Sequence, residues 1–195
     1  MDLSNPLDGI RDRAREAITP LLAEIPITSA MPWVVGGSPA RSRVVKQVVK
    51  SPEFAGSPEL VAALWLYVDE LDKSHAISQG IDTPTGAFLH GIMHRRERDF
   101  RNSHDWFRRA GRHPAMAMID NYEPHAFIDR VEQSGNADAA LIDLQRREWL
   151  ALFAWCAKPW VAASYWDVEP APGGGKPRIE FVGRAADMAS GRNNP

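Results

Sequence analysis

TPTGAFLHGIMHRRERDFRNSHDWFRRAGRHP, residues 83–114, reads as two helices joined by a tight corner, and it gathers four of the chain's six histidines, seven arginines and three carboxylates. Thr83 is a hydroxyl N-cap, and Pro84 takes the first helical position, where its missing N–H costs nothing. Phe88, Leu89, Ile92 and Met93 then share one face at the spacing of a buried stripe. His90, His94 and Glu97 repeat at i, i+4, i+7 and are expected on a second face, off the apolar one, where a ligand would be met. Arg98, Asp99 and Phe100 turn the chain, after which Ser103, Phe107 and Ala110 give the next helix an apolar-and-small stripe. Gly111 stops that helix and Pro114 cannot continue it.

Upstream, Ser57-Pro58-Glu59 is another start, with Leu60, Val61, Leu64, Trp65, Val68 and Leu71 predicting one amphipathic helix to about Lys73. Residues 74–82, with His75 and Gly80, read as a connector. Before it, residues 41–50 predict a short basic helix with Val44, Val45, Val48 and Val49 inward, although a valine run suits a strand as well. IPITSAMPWVVGGSPA, residues 25–40, carries Gly36-Gly37 and an exposed-looking Trp33; it is too apolar for a linker and should lie across the core or over a pocket. The first helix is expected from Asn5 or Asp8 to about Glu24 on Ile10, Ala14, Ile18, Leu21 and Leu22, kinked or split by Pro20.

Downstream, AMAMI leads to a turn at Asp120-Asn121, and Glu123-Pro124 opens a helix with Phe127, Ile128 and Val131 inward, ending near Gly135. Asn136 is read as the cap of the last and most apolar helix, which carries Leu141, Leu144, Trp149, Leu152, Phe153 and Cys156 to about Lys158. Beyond it regular structure fades into a tail, with at most a short extended piece at 178–182 and a disordered end. Gly173-Gly174-Gly175-Lys176 is a flexible linker and not a phosphate loop, because Pro170 stands where the first glycine belongs and a proline follows the lysine.

Two resemblances sharpen this. The corner, with Ser103, Phe107 and Ala110 after it and the small Gly91 before it, looks like a single tetratricopeptide-type hairpin. HGIMHRRERDFRNSHDWFRRAGRHP is also similar to the signature of a family of bacterial and fungal proteins, His-x-Ile-x-His-Arg-Arg-Glu-x-Asp-Phe/Tyr-x-Asn-x-x-x-Trp-Phe/Tyr-Arg-Arg, and LQRREWLALFAWC resembles its second block. The likeness spans about a third of the chain, implies an all-helical fold and brings no established activity with it. The expected fold is therefore all-α: a single-domain bundle of about seven helices over residues 1–158, with the hairpin central and the 137–158 helix packed on it, then an irregular tail over 159–195.

Composition narrows the functions. A chain of 195 residues supports one domain with a real core, and a net charge of −2 excludes nucleic-acid binding by bulk electrostatics. The N-terminus has no basic-then-apolar leader and no apolar run reaches a membrane span, so a soluble, cytoplasmic protein without membrane partners is expected. The one cysteine, Cys156, excludes an internal disulfide and reads as a small core residue.

Three chemistries compete for the hairpin. His90 and His94, one turn apart, suit a shared divalent metal ion, with Glu97 as third ligand and His75, His104 or His113 completing the set. The arginine excess suits a small polar or anionic ligand, bound by His90, Arg95, Asn102, Trp106 and Arg109. Acid–base or hydrolytic chemistry would fall to His94 and Glu97. Against all three stand plain solvated helix faces, with Asp105 and Arg109 as an i, i+4 pair, a tetratricopeptide-like groove for a partner peptide, and a buried polar network that only fixes helix register. A deep pocket around the histidines would favour an enzyme, and an open groove an interaction module.

Overall fold

The computed structural model describes Leu7 and residues 10–40, 42–134 and 136–158. In chain order these form α1 (Asp12–Glu24), α2 (Val44–Val48), α3 (Pro58–Tyr67), α4 (Leu71–Ser78), α5 (Pro84–Arg96), α6 (Phe100–Ala110), a 3-10 turn (Pro114–Met118), α7 (Pro124–Gln133) and α8 (Ala139–Ala157). The described residues are all-helical, and none of their helices is long and apolar enough to cross a membrane. Expectations for Asn5, Asp8 and the tail from residue 159 onward fall outside the described residues.

The cap-and-proline starts form as read. Ser57 accepts from the Leu60 N–H, Thr83 from Gly86 and Glu123 from Ala126, so each satisfies a donor that the first helical turn would leave orphaned. The Asp120-Asn121 turn forms too, with Asn121 at φ 53°. Pro20 does not split α1. It lies on the exposed side of the helix, as does Glu16 one turn before it.

Three boundaries differ from the reading. The helix expected to run from Ser57 to Lys73 is two helices, because Asp69 stands at φ 58° and breaks it. Its carboxylate is buried and takes the Arg96 guanidinium at 2.6 Å, an interaction 27 residues away in sequence that holds the chain in this turn. The supposed connector after it is largely α4, which puts His75 on a helix. Asn136 does not cap α8: Asp138 does, accepting from the Ala140 and Leu141 N–H groups, while Asn136 Oδ1 accepts from Val35 N–H at 2.8 Å.

The main core joins α1, α3, α5 and α8, with Phe54, Tyr67, Phe88, Phe107, Trp149 and Phe153 fully buried. α8 packs mainly on α3 and the 3-10 turn, where Trp149 donates its indole N–H to Ala63 O at 2.7 Å; it meets the hairpin through the Arg95–Glu148 ion pair and a ring contact of Trp155 with His113. Between α5 and α6 the contact is close: Ser103 donates to Gly91 O at 2.8 Å, and a Cβ on Gly91 would stand 2.8 Å from the Phe107 ring. The 25–40 segment is strapped over a smaller cluster of Val34, Val35, Phe127, Val131 and Leu141.

Candidate functional site

α5 is buried on nearly every side, which corrects the two-face reading. Phe88, Leu89, Ile92 and Met93 enter the core as expected, but His90 is only 4 % exposed and Arg95 and Arg96 are fully buried. The reason is that α5 has neighbours all round: α3 and α4 on one flank, α6 on another, and α8 reached through Arg95.

The break at Asp69 turns α4 so that His75 meets His90 and His94. One ligating atom from each of the three lies within 4.8 Å of the others. The His75 ring stands edge-on to both partners, at 4.6 and 5.1 Å between centroids, whereas His90 and His94 stack in parallel at 4.7 Å. Behind the rings are carboxylates. His75 Nδ1 donates to Glu97 Oε1 at 2.8 Å, and His94 Nδ1 lies 3.5 Å from Asp99 Oδ2 and 3.9 Å from Glu97 Oε2. With Nδ1 bonded to an acid, His75 keeps Nε2 for another partner, the arrangement that fixes the tautomer of metal-binding histidines, whereas His94 Nδ1 is buried near its carboxylates without a hydrogen bond to either. His90 Nδ1 is buried and has no hydrogen-bond partner among the described residues.

The stack continues outward. His90 lies flat on Trp106 at 4.0 Å, and the Arg109 guanidinium lies over the same side chain at 4.4 Å. Arg109 is therefore a stacked cation and not the partner of Asp105, which pairs with Arg108. Burial, reinforced by the charges of His75, His94 and Arg109, lowers the His90 pKa to about 4; burial first and then His75 lower that of His94. Both are neutral imidazoles at neutral pH, the form that binds metal.

The remaining predicted residues separate. Asn102 Nδ2 donates to Asp99 Oδ2 at 2.6 Å, and Asp99 also caps α6, so Asn102 reaches His94 only through that carboxylate. Its hydrogen bond is the main cause of the lowered Asp99 pKa. Arg95 does not join the histidines: its guanidinium is fully buried against Glu148, lies over the Phe127 ring at 4.0 Å, and shares Glu148 with the Tyr122 hydroxyl. Burial alone would lower its pKa, and the Glu148 carboxylate more than offsets that. His104 pairs with His125, Nδ1 to Nδ1 at 2.8 Å, and His113 caps the 3-10 turn. Cys156 is half-buried, its thiol pushed up to about 12 by burial, and so is unreactive at neutral pH.

Two nitrogens each about 2.1 Å from a zinc ion stand about 3.4 Å apart in a tetrahedron, so the trio must draw in by about an ångström to share one ion. Two surface clefts lie elsewhere: one of about 350 Å³ beside Trp33 and Arg98, and one of about 710 Å³ between His113 and Pro124. None of the three clustered histidines lines either. Within the cluster His90 is buried, while His75 and His94 are partly exposed. Comparison of the chain with protein families, curated proteins and solved structures finds no match.

Proposed function

We propose that this protein binds one divalent transition-metal ion of the zinc class through His75, His90 and His94, and presents it to a small polar or anionic ligand. The observation that carries the reading is the convergence of three imidazoles from two helices, with Glu97 bonded to the far nitrogen of one and Asp99 near that of another. Three neutral nitrogen ligands leave a fourth position open, and the partial exposure of His75 and His94 leaves it reachable. A water bound there would become acidic enough to act as a nucleophile near neutral pH, which makes hydrolytic chemistry the natural extension. Arg109 and Trp106 supply a cationic and aromatic wall beside it, favouring an anionic guest. Glu97 is then a residue that orients His75, and not a ligand.

A structural role is the second reading, favoured by the His75–Glu97 bond that clamps α4 to the end of α5. Elemental analysis of the purified protein separates the two. One equivalent of zinc, copper, nickel or cobalt in the wild type, lost in His75→Ala, His90→Ala and His94→Ala, supports the metal reading. Metal-free protein after growth and dialysis in zinc-supplemented medium rejects it.

A further inference from the structure

The loop 25–40 does more than cover the core. Trp33 is 42 % exposed, the one large hydrophobic side chain so exposed among the described residues, yet its backbone is held firmly. Gln145 Nε2 donates to Met31 O at 3.2 Å and Trp33 O at 3.0 Å, and Arg146 Nε donates to Ala30 O at 2.8 Å. An indole kept in water by such a framework is positioned and not merely left over.

Beside it lies the cleft of about 350 Å³, lined by Trp33, Gly36, Gly37, Ser38, Arg98 and Asn136 among others. Backbone strain collects here. Of four non-glycine residues with left-handed φ among the described residues, Arg98 (64°) lines the cleft, Met31 (48°) lies two residues before Trp33, and Asp69 (58°) lies directly under Gly37. Such conformations persist only where the surroundings enforce them, and they gather at binding sites. Charge points the same way. Beneath Gly37, though not lining the cleft, the buried Arg96 gives Nη2 to Gly36 O and Asp69 Oδ1, while its Nε and Nη1 have no hydrogen-bond partner among the described residues. Arg98 is the one charged side chain that lines the cleft, so its guanidinium meets no acidic side chain there.

We propose that this cleft is a second binding site, for a small planar aromatic molecule carrying one carboxylate or phosphate group. The Trp33 indole would stack on the ring, and the Arg98 fork would take the anion. This site is independent of the histidine cluster, which lines no part of it.

The test titrates benzoate and AMP into the full chain, with inorganic phosphate and adenosine as probes that lack the ring or the anion. Affinity is read by ligand-observed NMR, and location by the Trp33 indole N–H resonance, assigned with Trp33→Phe. The expected result is a dissociation constant at or below about 1 mM for at least one ring-bearing anion, with a shift of the Trp33 resonance. Trp33→Ala should abolish binding, and Arg98→Asn, which tolerates left-handed φ, should weaken it at least about tenfold. Both side chains are on the surface, and a far-ultraviolet circular dichroism spectrum checks that each variant keeps its fold. The proposal is overturned if neither benzoate nor AMP binds, if both variants bind as the wild type does, or if phosphate or adenosine alone binds as tightly as AMP.

Discussion

His113 shows what a single residue's environment decides. Its Nδ1 accepts from Ala115 N–H at 3.2 Å, so the ring proton sits on Nε2 and is donated to Thr85 Oγ1 at 3.0 Å. Burial lowers its pKa to about 4, whereas an unfolded histidine titrates near 6.5. Above about pH 6.5 both states are neutral and His113 gives no pH dependence. Between about 6.5 and 4 the unfolded chain takes up a proton that the folded one refuses, so stability falls as pH falls, and the loss is complete below about 4. The lowered values of His90 and His94 act with the same sign. Urea midpoints should therefore drop from pH 7 to pH 4, and His113→Asn, whose amide oxygen can still cap Ala115, should show a drop smaller by one proton's share. An unchanged slope in the variant would count against the lowered pKa of His113.

At the scale of elements, the hairpin depends on Gly91. Alanine there gains about 1 kcal/mol of helix preference but forces a Cβ to 2.8 Å from the buried Phe107 ring, and overpacking of that kind costs about 1–3 kcal/mol. Gly91→Ala should therefore lower the melting temperature; a rise would mean that α6 can move away. Glu148→Ala strands the fully buried Arg95 and should cost about 3–5 kcal/mol, measurable by calorimetry, far more than any exposed pair such as Arg108 with Asp105. The same contrast explains what could be read in advance. Helix starts at Ser57, Thr83 and Glu123 and the stripes of α5, α6 and α8 depend on neighbours within a turn or two, so local spacing revealed them. The break at Asp69 and the exclusion of Arg95 from the site depend on Arg96 and Glu148, 27 and 53 residues away, and no window along the chain contains those pairs. His75 was within reach of the metal argument, but reading 74–82 as a connector left it without a fixed direction; only the break at Asp69 supplies one.

For the whole molecule, the histidine cluster ties α4 to α5 near the corner on which α6 turns, so an ion there would fasten those two helices together. A ligand that binds only the folded state adds about 2.7 kcal/mol of stability at a hundredfold excess over its dissociation constant. Zinc should accordingly raise the wild-type melting temperature, and His75→Ala should lose most of that rise while keeping its helical spectrum. The most direct test of the central claim is X-ray absorption at the zinc edge on protein loaded with one equivalent of the metal. The geometry predicts three imidazole nitrogens at about 2.0–2.1 Å plus one oxygen donor in a four-coordinate shell. A six-coordinate oxygen shell, or an imidazole count that stays at three after His75, His90 and His94 are all replaced by alanine, would show that the trio is not a metal centre.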